Sequence, residues 1–179
     1  MHRISIALAS AALAVSIGAA PASAAGKPPE LATDAAAHAQ VGATTFRVLF
    51  WRVFDASLWS PSGNFDWNAP FALSLTYARD FSADQLTETT VEEMGRISGE
   101  GQAAFASFGR DFKACVADVV EGDRITAVSE SATRTRLFLN GAERCVLERK
   151  NLRRDFFGIW LSRDSQFPEA TARLIGDPA

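Results

Sequence analysis

Few side chains in this sequence are equipped for chemistry, and they are scattered. Tyr77 is the sole tyrosine, and there are two histidines, His2 and His38, and two cysteines, Cys115 and Cys145. Arg47 and Arg52 interrupt an apolar run. A guanidinium facing a cleft would hold a carboxylate in a fork of two N–H groups. The other reading lays both arginines along a sheet edge, stems packed and heads in water, or pairs them with Asp55 or a glutamate. Tyr77 has two readings as well: a hydroxyl holding a ligand carbonyl or carboxylate, or the end of an inward strand face with its hydroxyl at the rim. Glu92 and Glu93 could supply a general base, yet paired acids on a helix are usually a solvated face. Arg79-Asp80 reads as an ion pair fixing a turn. His38 stands among small residues with no evident carboxylate beside it. One histidine and two cysteines in the later chain make a poor metal set. No serine lies in a Gly-x-Ser-x-Gly setting. No catalytic residue, metal or cofactor is therefore assigned.

Residues 1–24 read as a secretory leader. His2 and Arg3 open it, residues 4–20 are almost all small or apolar, and Ala22-Ser23-Ala24 is a small-x-small cleavage site. No later stretch is long enough to span a bilayer. Cleavage leaves 155 residues with net charge −4, against −3 for the full chain. That length suits one domain with a good-sized core. The mildly acidic balance argues against nucleic acid and against docking on anionic lipid by charge. A periplasmic or secreted setting follows, and a monomer is expected. In an oxidising compartment Cys115 and Cys145 are a possible disulfide. It would close a loop of about 30 residues, stabilising by roughly 3–4 kcal/mol on chain entropy alone. Spacing leaves two separate buried thiols equally open.

Residues 25–37, with Gly26, Pro28 and Pro29 among alanines, read as a flexible lead-in, and residues 38–179 as a single domain. The stretch from His38 to Trp59 carries apolar residues on both faces and reads as a strand or strand pair covered on both sides. "SPSGNFDWNAP" is a loop. In "FALSLTY", Phe71, Leu73, Leu75 and Tyr77 face one way and small residues the other. Ser82 with Gln85 forms a capping box, stapled by Phe81 and Leu86. The helix it opens turns Leu86, Thr90 and Met94 inward and ends near Gly99. A second helix, to about Cys115, carries a stripe of Phe105, Phe108 and Phe112. Asn140-Gly141 signals a two-residue hairpin. Asn151 is a candidate N-cap for a helix whose Phe156, Ile159 and Trp160 form a core stripe, with Gly158 allowing close approach. Pro168 opens a last helix that Gly176 closes. Early and late strands around a helical block make an α+β domain, with a mostly antiparallel sheet and helices on one face.

Five segments in order, "FRVLFWRVFDASLWSPSG", "FALSLTYARDFSADQLTETTVEEM", "EGDRITAV", "RLFLNG" and "FFGIWLS" with "ATARLIG", resemble the bacterial exported branch of the chalcone isomerase-like family. The resemblance runs from Gly42 to Gly176. It implies an open-faced β-sandwich in which a curved antiparallel sheet is covered by helices, with a ligand cleft between the layers. The family's enzymes close a chalcone to a flavanone, using a strand Arg, a strand Thr, and a Tyr, Lys and Asn on the first helix. The positions matching the last four hold Phe54, Leu86, Thr89 and Glu93, and all four differ. Arg47 is the nearest candidate for the strand Arg and is out of register, which on a strand means the opposite face.

Fold alone does not carry function. The missing set argues against chalcone cyclisation, and some non-catalytic members of the family bind fatty acids. The leading expectation is a small apolar or amphipathic, fatty-acid-like ligand bound near Arg47, Phe54, Tyr77, Leu86 and Thr89. Two alternatives stand beside it. One is an isomerase or intramolecular lyase acting on chalcone-like enones with a non-standard residue set. The other is an envelope protein-interaction module that presents an exposed Trp67.

Overall fold

A computed structural model describes residues 26–32 and 38–177; the expected leader lies outside the described residues. Six strands, β1 (Ala39–Val48), β2 (Trp51–Ser60), β3 (Phe71–Tyr77), β4 (Arg124–Ser129), β5 (Arg134–Leu139) and β6 (Ala142–Glu148), form one sheet. They lie in chain order, each antiparallel to the next. Helices α2 (Ala83–Ser98) and α3 (Ala106–Cys115, entered through a 3₁₀ turn) fall between β3 and β4; α4 (Leu152–Leu161) and α5 (Pro168–Leu174) follow β6. The result is the expected α+β open-faced sandwich.

Alternation on β3 decides which face is covered. Phe71, Leu73, Leu75 and Tyr77 join the main core with Met94, Phe105, Phe108, Phe112, Phe156 and Phe157 from the helices. The opposite face buries small groups instead, among them Ser74 and Thr126, whose hydroxyls are 2.8 Å apart. The Ser82 cap forms as expected: its Oγ accepts the Gln85 N–H, and the Gln85 side chain accepts the Ser82 N–H at 2.9 Å. α4 lies close on α2 at Gly158, where a Cβ would sit 2.7 Å from Ile97 Cγ2. α5 crosses β1 at Gly42, where a Cβ would meet the Arg173 carbonyl oxygen at 2.3 Å. That backbone-to-backbone approach leaves no room for any side chain.

Three sequence readings need correction. The stretch from His38 to Trp59 is the strand pair of the two readings, but it is not covered on both sides up to its turn. It is a hairpin whose turn falls at Leu49 and Phe50, and its tip stands in solvent. Asn151 precedes α4 but is left-handed at φ 60° and makes no side-chain cap. In the lead-in, Pro29–Ala32 forms a short helix, α1. Its Leu31 is buried with Trp59, Ala72, Val128 and Phe138 on the outer face of the sheet. Its Glu30 carboxylate meets the Arg124 guanidinium at 3.1 Å.

Candidate functional site

An apolar cavity of about 280 Å³ lies between the inner face of β1–β3 and helices α2 and α4. Its wall on the sheet side is a run of aromatic rings. Phe46 meets Phe167 at 5.4 Å and Phe54 at 4.9 Å; Phe54 meets Tyr77 at 6.0 Å, and Tyr77 meets Phe81 at 5.7 Å between centroids. Such tilted and edge-on contacts lock the rings against one another. The helices complete the enclosure with Leu86, Thr89 and Thr90 from α2 and Ile159 and Trp160 from α4. A void of about 40 Å³ continues beneath Leu86 and Trp160 toward Phe112 and Ile125. With each water-sized group taking about 30 Å³, the cavity holds roughly nine of them. That is room for a medium acyl chain or a small ring system.

Polar atoms are few in this lining. Gln85, Thr89, Thr90, Glu93 and Gln166 contribute them, with the Tyr77 hydroxyl, and no Lys, Arg or His lines the cavity among the described residues. The Glu93 carboxylate is already engaged: Arg96 donates to it at 2.8 Å and Gln166 also donates. Tyr77 is buried; its ring meets its aromatic neighbours, and its hydroxyl makes no hydrogen bond among the described residues. Burial pushes its pKa well above the usual tyrosine value, so it stays a protonated donor. The arrangement suits dispersion and hydrophobic contact along a ligand's length, with one phenol and two threonine hydroxyls for a polar end.

Of the residues expected at a ligand site, Phe54, Tyr77, Leu86 and Thr89 all line this cavity; Arg47 does not. Phe46 and Val48 point into the cavity, so the residue between them points away, and Arg47 is exposed. Arg52 pairs with Asp55 at the hairpin base and does not line the cavity. Phe46, Phe81, Trp160 and Phe167 were not singled out as ligand contacts. The staple at Phe81 and the stripe through Trp160 were the signals available for two of them. His38 is buried at the start of β1 and is not a lining residue. Trp67 is not the exposed tip that an interaction loop would require. It packs edge-on against Phe65 at 5.0 Å and Phe71 at 6.2 Å, under the Arg154 guanidinium. Cys115, at the end of α3, is joined to Cys145 on β6 with Cα atoms 5.5 Å apart. No group of three or more His, Cys, Asp or Glu residues able to hold a metal occurs among the described residues.

A second depression, about 570 Å³, lies between α3 and β6 and includes Asp111, Arg134, Glu148 and Arg149. Its arginines are satisfied locally, Arg134 by Glu130 and Glu148 and Arg149 by Asp155, so it reads as a solvated cleft.

No curated protein matches the sequence. Among solved structures the chain is similar to the Arabidopsis thaliana fatty-acid binding protein AtFAP1, with a TM-score of 0.63 at 8% identity over 78% of this chain and 87% of that one. At that identity the likeness establishes the fold. The family described as chalcone isomerase-like matches residues 41–167, from the first strand to the threshold of the last helix. This chain, with its sheet, its helical cover and the cavity between them, belongs to the chalcone isomerase-like family.

Proposed function

We propose that this protein is a non-catalytic carrier that holds a small apolar or amphipathic ligand with a fatty-acyl-like chain between sheet and helices. The observation that carries the reading is the lining itself: an aromatic-walled cavity whose positions matching the family's catalytic residues hold Phe54, Leu86, Thr89 and an already engaged Glu93. The likeness to a plant fatty-acid binding protein supports it at the level of fold. An exported setting belongs to the same proposal. It rests on residues 1–24, and the Cys115–Cys145 bond suits an oxidising compartment.

With no cation in the lining among the described residues, the cavity recognises the chain rather than a carboxylate. A fluorescent acyl probe bearing an alcohol is therefore expected to bind at least as tightly as the matching acid.

Native mass spectrometry of protein recovered from the periplasmic fraction without detergent tests the proposal. Wild type should carry an adduct of lipid-like mass. Leu86→Trp, which fills the cavity, should lose it and weaken probe binding by on the order of tenfold. A wild-type protein that neither carries an adduct nor binds the probe would end this reading.

A further inference from the structure

We infer that the β1–β2 hairpin tip is a lipid-docking element, inserting its apolar side chains into the interface of a bilayer. Four consecutive apolar residues project there. Val48 is 51%, Leu49 85%, Phe50 93% and Trp51 63% exposed. Contiguous exposed apolar side chains are unfavourable in water and mark a surface that something covers.

The backbone supplies a second observation. Leu49 adopts φ 55°, in the left-handed region. Two-residue hairpin turns place Gly or Asn where φ is positive, because a larger side chain there is strained. Here a leucine holds that position and presents its side chain to solvent. So exposed, that side chain buries little against the described residues.

Size and composition favour a bilayer over a protein partner. The tip is four side chains at one hairpin end, whereas a stable protein interface needs about 800 Å² from each partner. Trp and Arg together suit the boundary between headgroups and acyl chains. Trp51 carries the Arg79 guanidinium 4.9 Å above its ring, and Arg47 and Arg52 flank the apolar run. Asp55, Asp80 and Glu121 lie at the same end of the sheet, so the local charge is mixed. Insertion, not attraction to anionic lipid, would hold the tip.

Position adds a reason for the device. Val48 and Val53, at the base of the tip, line the cavity. A bilayer that took up the tip would lie against the cavity mouth, and an apolar ligand could pass without crossing water. This last point rests on the carrier reading; the docking itself does not.

The test uses vesicles of phosphatidylcholine, with and without bromine in the acyl chains. Trp51 fluorescence should be quenched by the brominated vesicles, and the quenched component should vanish in Trp51→Phe. The double variant Leu49→Gly/Phe50→Asn puts glycine at the one turn position with positive φ, so it should fold at least as stably. It should lose vesicle affinity on the order of a hundredfold, since two large apolar side chains no longer enter the interface. It should still bind the fluorescent acyl alcohol in solution. Absence of Trp51-dependent quenching at saturating lipid overturns the proposal, as does a double variant that binds vesicles like wild type. Tip-dependent dimerisation in sedimentation without quenching overturns it in favour of a second copy of the chain. Failure of acyl-alcohol binding with quenching intact would end the carrier reading and leave the docking element standing.

Discussion

Two hairpins of the same sheet close with two-residue turns and solve the problem in opposite ways. At the β5–β6 turn, Asn140 and Gly141 take φ 51° and 88°, the paired left-handed conformation of a type I′ turn. Asn140 also accepts the Arg124 N–H and donates to Asp123, both at 2.8 Å. Every feature of that turn serves the fold. At the β1–β2 turn, Leu49 takes φ 55° and is followed by the most exposed large apolar side chain among the described residues, Phe50. One turn is chosen for its backbone; the other holds a residue poorly suited to its backbone and displays side chains. A local rule broken without compensation inside the molecule points to a requirement outside it.

Exchange of the two turn chemistries tests this contrast. Asn140→Leu/Gly141→Phe should destabilise the protein by about 3 kcal/mol. It strains two left-handed positions and leaves the Arg124 N–H without its side-chain acceptor. Urea unfolding would measure it, and a loss below about 1 kcal/mol would remove the claim that this turn is chosen for the fold. At the other turn, Leu49→Gly/Phe50→Asn, which relieves the one positive φ, should raise stability by about 1 kcal/mol in the same assay. A loss instead would show that the apolar tip supports the hairpin.

Tyr77→Phe should weaken binding of a hydroxyl- or carbonyl-bearing probe by about 1 kcal/mol while leaving a pure hydrocarbon unaffected. Equal effects on both would assign Tyr77 a packing role alone. The smallest effect is expected at Asp123. The Val120 N–H, then the Asn140 amide, hold its carboxyl below the usual range. A carboxyl whose folded pKa is depressed stabilises above its unfolded value, near about 4, and loses that contribution as pH falls through the folded value. Asp123→Asn should therefore cost under about 1 kcal/mol at neutral pH, with the gap closing in acid. A gap that widened in acid would contradict the assignment.

Much of the frame was legible because local chemistry and tertiary need agreed. The alternation of "FALSLTY", the Ser82 capping box and the Asn140-Gly141 pair each name their structure. The α4 stripe predicted core, and Trp160 proved to face the cavity as well. Phe54, Leu86 and Thr89 reached the site through the family resemblance, and Tyr77 through its position at the end of an inward strand face. The β1–β2 turn was illegible because no Gly, Asn, Asp or Pro marks it; apolar residues run straight through Leu49 and Phe50. Arg47 was the nearest arginine to the family position but one residue out of register, and it stands on the opposite face as that register requires. The small helix at Pro29 escaped because its anchor, Leu31, meets partners far away in sequence.

The covalent link between Cys115 and Cys145 has a mechanical meaning. It ties the end of α3 to β6, one border of the sheet, while the cavity lies toward the other border at β1 and β2. The two layers are thus tied covalently at one border, whereas at the other α5 holds β1 by packing alone. On the carrier reading, that second border, where the apolar hairpin stands, is the one that would yield to a larger ligand.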